Sequence, residues 1–520
     1  MASVPTKAGR REWLGLTILG LPTLLISMDL TVLHLALPAI SADLKPTNTE
    51  LLWSVDVYGF MVAGLLITMG AIGDRIGRRK LLLIGAVGFG AASVAAAVAT
   101  SPVMLIGARA LLGIAGATLM PSTLSLIRNM FHDPKQRTAA IGIWSMCLGV
   151  GTLIGPLVGG ALLAYFWWGS VFLPAVPVMM LLLATGPKVL PEHRDSSVGR
   201  PDLPSVLMSI LTVLSLVQGL KRIAEHGAEW ISIVLIIVAL LVGSGLIVRQ
   251  PKLRTPLIDV RLFRSSAFSG PLTLLMLGVL VMAGSQLFVM QYLMLVRGLS
   301  PIQAGLWSLP TTAGVIIGSM GAPALRQKVS LRTVFATALF VLGIGSLLLF
   351  FVSAPDDLAI TVLGSAVIGL GLGPLVTLGT DSVVAAAPPE RAGAASAISE
   401  TGTELGTALG IAVFGSIGFG VYRNTLAAIL PSGVPAEAAS AARSTLGAAV
   451  ATAGNLPAPT GPRLLDAVRQ AFIDGFSTVG LICSITAAVL GVVALVWLRN
   501  ARAPAPEAAE QMPAGEPKPL

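Results

Sequence analysis

Charge is the first thing this sequence lacks. Of its 520 residues 11% are Asp, Glu, Lys or Arg and 54% are hydrophobic, whereas a typical soluble domain is about 25% charged. That balance excludes an ordinary soluble domain. Only two cysteines occur, Cys147 and Cys483, both inside apolar runs where they carry no information on redox compartment. The four histidines are scattered, without metal-ligand spacing. No Gly-rich loop ending in Lys-Ser/Thr exists to cradle a nucleotide's phosphates, and neither a nucleophile elbow nor paired metal ligands are present. The chain therefore reads as no enzyme, with no cofactor and no bound metal, and a proton or other ion gradient remains as its energy source.

What the sequence has in abundance is apolar runs. About 20 such residues suffice to cross a bilayer. The first run extends from 14 through Pro38, and others follow at 52–73, 81–100, 102–126, 138–163 and 168–187. Two more lie at 203–220 and 230–249, then six at 267–292, 302–322, 333–353, 358–378, 393–419 and 476–498. A cleaved signal peptide would also begin with basic residues such as Lys7, Arg10 and Arg11, but no small-residue cleavage site follows, so the run is read as the first span. The expectation is an all-α integral membrane protein of fourteen transmembrane helices in a six, two and six arrangement. Its parts are a basic tail (1–13), a six-helix bundle (14–187), two inserted helices (203–249), a second six-helix bundle (267–498) and a disordered tail (499–520). An external loop, 421–473, lies within the second bundle; Leu464, Leu465, Val468, Phe472 and Ile473 there form one face of a short helix. A lid, a lipid-surface helix and a loose loop all fit that segment.

The net charge of +9 invites a nucleic-acid reading. Assigning each Lys and Arg to a link, however, puts about three quarters of them on one side, the asymmetry of the positive-inside rule. No nucleic acid is needed to explain it. The expected partners are the lipid bilayer, a small molecule and protons, in a monomer with both termini cytoplasmic.

One link is denser than the rest: Gly70-Ala-Ile-Gly73-Asp74-Arg75-Ile-Gly77-Arg78-Arg79-Lys80, between the second and third spans. Its cations hold it on the cytoplasmic side. Gly70, Gly73 and Gly77 allow helix ends to approach closely. Asp74 is placed to pair with a neighbouring cation or with a helix N-terminus. Residues Gly321 to Arg332, with Arg326 and Lys328, are a faint echo of it, as a six-plus-six repeat predicts.

Charge inside a span is expensive and marks an ion or substrate path. Asp29 falls in span one, Asp56 in span two, Arg109 in span four, and Glu400 and Glu404 in span thirteen; Asp381, near the end of span twelve, reads as interfacial. At 1.5 Å per residue Asp29 and Arg109 lie roughly 13 and 10 Å below the outer surface, level enough to form a buried ion pair. Trp53, Asp56 and Phe60 share one helix face, two aromatics flanking a carboxylate, an arrangement suited to a lipophilic cation or to a solvated interfacial pair. Glu400 and Glu404 are one turn apart, and two carboxylates so close in a poorly hydrated cavity share a proton. Gly402, Gly406 and Gly410 beside them make a close-packing stripe. His34 lies about 140° around its helix from Asp29, placed for packing or for a proton relay. In span five, Gly151, Gly155 and Gly159 recur at every fourth residue, with Pro156 and Gly160 between and after them, giving a flat, bent helix.

Taken together these segments resemble the fourteen-span drug:proton antiporters of the major facilitator superfamily, and among them the exporters of quaternary ammonium compounds, methyl viologen and cationic dyes. Met28 to Pro38, Leu52 to Tyr58, Gly70 to Lys80, Arg109 to Gly116, Gly151 to Gly160 and Ser399 to Gly406 carry the resemblance. It implies a major facilitator fold in a bacterial inner membrane, exporting lipophilic organic cations by alternating access. Asp29, Asp56, Glu400 and Glu404 would then handle cations or protons, with Arg109 beside them and Trp53 and Phe60 as aromatic contacts. Gly70, Asp74, Arg75, Gly77 and Arg78, with Gly151, Gly155, Pro156, Gly159 and Gly160, would gate. Some members carry a further acid in span ten, which residues 302–322 lack. Export of a single natural product, and a non-transporting sensor or scaffold, are the alternatives.

Overall fold

In a bilayer the backbone must satisfy its own N–H and C=O groups, so apolar runs of this length close on themselves as helices. The computed structural model describes residues 8–192, 202–226, 229–253, 256–388, 391–444 and 446–500. The first unit contains α1 (Arg10–Leu44), α2 (Asn48–Ile76), α3 (Arg78–Ala97), α4 (Pro102–Met130), α5 (Pro134–Tyr165) and α6 (Ala175–Val189). Next come α7 (Leu203–His226) and α8 (Trp230–Arg249). The second unit contains α9 (Ser266–Gln291), α10 (Pro301–Trp307), α11 (Leu309–Lys328), α12 (Leu331–Phe350), α13 (Leu358–Ala386) and α14 (Ala392–Ile429). Two short helices, α15 (Ala436–Ser444) and α16 (Leu446–Asn455), lead to α17 (Thr460–Trp497). The tail from residue 501 lies outside the described residues.

Thirteen helices among the described residues are long and apolar enough to cross a membrane. The fourteenth expected run, 302–322, is not one of them: it breaks at Ser308 into α10 and α11, and α11, though twenty residues long, is diluted by Thr, Gly, Ser and Pro. Pro310 supplies no N–H at that point, and α11 carries Arg326 and Lys328 in its last turn. In packing, nevertheless, α11 takes in the second unit the place of α2 in the first. There α1 packs on α5, α2 on α4, and α3 on α4 and α6; correspondingly α9 packs on α14, α11 on α13, and α12 on α13 and α17. The faint echo at 321–332 thus belongs to a repeat that is plain in three dimensions.

Each unit buries its own apolar cluster, one around Leu33, Phe89 and Leu112, the other around Leu339, Phe288 and Phe476. The units meet along two seams, α2 against α14 and α5 against α11. Helix α7 lies over the first seam, touching both α2 and α14, with Ile210 and Leu214 seated on Gly64. Two hydrogen bonds from Arg249 to Asp202, at 2.9 and 3.0 Å, close the α7–α8 hairpin.

The segment that the sequence reads as external is shorter than the expected 421–473. Helix α14 continues to Ile429 and α17 begins at Thr460, so Leu464, Val468, Phe472 and Ile473 form the first buried turns of a 38-residue helix. The apolar face that suggested a separate short helix is real, but it buries against the second unit's core. Tyr422 on α14 donates to the Ala442 carbonyl at 2.7 Å and ties α15 to the same unit.

Candidate transport site and gate

Asp29 and Arg109 meet as expected: the guanidinium donates to the carboxylate in an ion pair whose members are 7% and 1% exposed. A charge so buried is stable only when paired and hydrogen-bonded. Arg109 satisfies this twice over, since its Nε also donates to the Ser54 carbonyl at 3.1 Å and its Cζ lies 4.6 Å from the centre of the Tyr58 ring. The glycines of α4 make room for this. A Cβ on Gly113 would stand 2.5 Å from the Tyr58 carbonyl oxygen, and one on Gly116 3.3 Å from its hydroxyl. Helix α1 is placed by α5, whose Gly151, Gly155 and Gly159 receive Leu24, Met28 with Thr31, and Val32. The glycine stripe thus sets the register that presents Asp29. The side chains of His34 and Pro156 lie outside the described ones; Gly160 is half-buried on the same helix.

Helix α14 has two opposed faces. Gly402, Gly406 and Gly410 pack on Leu272, Met276 and Leu280 of α9. Gly393, Ala397, Glu400 and Glu404 fall at i, i+4, i+7 and i+11, a single stripe, and its first two members touch Gly70 and Arg78 of the first unit. Glu400 is buried and Glu404 half-buried, within electrostatic reach of each other. Glu404 is also within electrostatic reach of Tyr58, as are Asp29 and Arg109. The two acids of α14 and the pair in the first unit therefore share one centre.

Asp56 stands apart. It lies two residues from Tyr58, about 160° around the helix at 100° per residue, and so on the other face of α2. Trp53 and Phe60 share that face, in edge-to-face contact at 6.1 Å between ring centres. Asp56 is half-buried and Trp53 is 47% exposed. The expected aromatic-and-acid constellation exists, yet it sits beside the central pair instead of within it.

At the basic end of the bundle, Asp74 pairs both ways that the sequence offered. It accepts from the fully buried Arg78 one turn on, and it lies within electrostatic reach of the backbone N–H groups of Gly393 and Ala394, at the start of α14. A helix N-terminus favours an anion there. A methyl on Gly393 would overlap the Arg78 guanidinium, and one on Gly70 would come 2.8 Å from Gly393's carbonyl oxygen. Gly77 has φ +109°, a conformation only glycine adopts without strain, which lets α3 begin directly after α2. Arg75 is half-buried in the last turn of α2.

A second clasp was not anticipated. Asp381, read from the sequence as interfacial, is buried and joins the units: Arg137 Nε donates to it at 2.8 Å and Thr138 Oγ1 at 2.7 Å, both from α5. Arg128 of α4 donates to the Ala387 carbonyl at 2.7 Å nearby. Linear sequence puts Arg137 and Asp381 over two hundred residues apart, and no periodicity links them. Tyr58 was likewise given no role, although the paired glycines of α4 are a sign that something bulky must be accommodated.

Two six-helix units around shared buried charge, with glycine seams and ionic clasps between them, define a multi-pass membrane transporter, not an enzyme. The profile described as Major Facilitator Superfamily matches residues 19–411, and the chain belongs to that superfamily. It is 41% identical over 491 residues to the multidrug efflux pump LfrA of Mycolicibacterium smegmatis, covering 94% of this chain and 97% of the relative. It is 37% identical over 475 residues to the methyl viologen resistance protein SmvA of Salmonella typhimurium, covering 89% and 93%. In fold it is similar to the human organic anion transporter MFSD10, with a TM-score of 0.59 at 16% identity over 92% of this chain and 99% of that one.

Proposed function

We propose that this chain is a proton-coupled antiporter that exports lipophilic organic cations, quaternary ammonium compounds and cationic dyes among them, across a bacterial inner membrane. Both termini and the basic end face the cytoplasm, α10 and α11 together act as the remaining span, and the protein works as a monomer. The observation that carries the reading is the placement of Glu400 and Glu404 on the stripe of α14 that meets the first unit, opposite Asp29 and Arg109. A scaffold gains nothing from charge buried at that cost. Carboxylates in a closing cavity exchange one positive charge for another, a proton for an organic cation. The name of one relative, a methyl viologen resistance protein, supports the cationic class, and that of the other, a multidrug efflux pump, supports export of several compounds.

With the basic end clasped by Asp74 and Asp381, this conformation is closed to the cytoplasm. In the cycle we propose, the opposite state opens that end, takes up the cation and releases protons from α14. The test is proton release from purified protein on addition of methyl viologen or a quaternary ammonium salt, followed with a pH dye. Release by the wild type and its loss in Glu404→Gln support the proposal. Release that persists in Glu404→Gln places coupling elsewhere, and resistance conferred only to one neutral or anionic natural product favours the single-substrate alternative.

A further inference from the structure

Tyr58 holds a polar atom that the transport reading leaves unused. The side chain is 1% exposed, and its hydroxyl is buried without a hydrogen-bond partner. Burying a hydroxyl unpaired costs free energy that a phenylalanine, filling the same space, would avoid. The ring alone would suffice to stack on Arg109. Gly116 leaves clearance around the oxygen, because any Cβ there would press on it at 3.3 Å. On the other side, no donor among the described residues hydrogen-bonds the carboxylates of Glu400 or Glu404. A lone donor and an undonated acid therefore stand on two helices that pack together, α2 and α14.

We propose that the Tyr58 hydroxyl is the donor that receives the ionised carboxylate of Glu404 when the two units move, so that one side chain ties the charge state of α14 to the Asp29–Arg109 pair. Its ring face holds the guanidinium and its far edge holds the acid. It is a positioning residue: it carries no proton across, but it sets the pH at which Glu404 gives one up. The charged groups around it are Asp29 from α1, Arg109 from α4, and Glu404 with Glu400 behind it from α14. Helix α7 presents Ile210 and Leu214 to α2, and its Arg222 is occupied by Glu229.

The inference rests on the proton-exchange reading, and its test separates the two. In wild-type protein the pH midpoint of cation-driven proton release is measured first; no release at any pH overturns the coupling reading itself. Tyr58→Phe keeps the ring and removes the oxygen. It should fold, bind cation at high pH, and shift the midpoint upward by about one pH unit, as loss of a hydrogen bond to a charged acceptor requires. Gly116→Ala, which crowds the hydroxyl without deleting it, should shift the midpoint the same way. In a Glu404→Gln background the effect of Tyr58→Phe on the pH profile of cation binding should vanish. An unchanged midpoint in Tyr58→Phe, or an effect that persists without Glu404, overturns the proposal and leaves Tyr58 as a packing ring for Arg109.

Discussion

Replacing Asp74 by Asn tests whether the basic-end clasp is a gate or merely part of the fold. Two kinds of contact must be separated. The pair with Arg78 lies within the first unit and travels with it, so its loss lowers the stability of both conformations alike. The attraction to the N-terminus of α14, at Gly393 and Ala394, crosses between units and exists only while this end is closed. An anion at a helix N-terminus is worth about 0.3–1 kcal/mol, and up to about 2 kcal/mol where partly buried. Asn keeps an oxygen in place but removes the charge. The net loss is then about 0.5–2 kcal/mol, or roughly a 2- to 30-fold shift toward the state open at the basic end. Spin labels on cysteines at Lys80 and Arg326, both exposed and in different units, report that opening in a background without Cys147 and Cys483. The longer-distance population should grow in Asp74→Asn, with slowed exchange and retained cation binding. An unchanged distance distribution together with proportional loss of binding and transport would show that Asp74 serves folding alone.

Three further outcomes follow from the same geometry. Glu400→Gln removes the more deeply buried acid of the pair and should weaken dications such as methyl viologen roughly ten- to a hundredfold, monocations less, in equilibrium binding. Asp381→Asn should loosen the contact of α5 with α13 and raise the open population with the same labels, and exchanging the charges of Arg137 and Asp381 should recover part of it; no recovery would deny the pair a role in closure. Single cysteines at Lys45 and at Lys80, both exposed, should react with an impermeant thiol reagent from outside intact cells and only after lysis, respectively, and the reverse would invert the proposed topology.

Much of this architecture was legible because the bilayer simplifies the code. A run such as Leu331–Phe350 has one stable outcome in lipid, and the cations around Gly77 have one favoured side. Pairs within reach by depth and helix face, such as Asp29 with Arg109, were legible for the same reason. What the sequence concealed was contact between units. Asp381 looks interfacial when only its own helix is considered, because nothing in residues 358–386 announces that α5 will bring Arg137 and Thr138 to it. The break at Ser308 was hidden too: Pro310 marks it, but 302–322 is apolar enough to pass for one run.

The case of Asp56 is the most instructive of these. Its spacing from Trp53 and Phe60 was read correctly as a shared face, and the rings do touch. Helical periodicity fixes which residues share a face, but not which neighbour that face meets. On α2 the face bearing Ser54 and Tyr58 is claimed by Arg109, and the glycines of α4 that admit Tyr58 decide the rotation of the whole helix. Once that rotation is set, Asp56 must point elsewhere, about 160° away. The rotation of α14 is decided in the same manner: its glycines commit one face to α9, and Glu400 and Glu404 are left facing the first unit. In both cases glycines, on α4 for the first and on α14 itself for the second, determine where the charged side chains go. Substitutions at Gly113 or Gly406 should therefore disturb the central charges as severely as substitutions of the acids themselves, although neither glycine touches an ion.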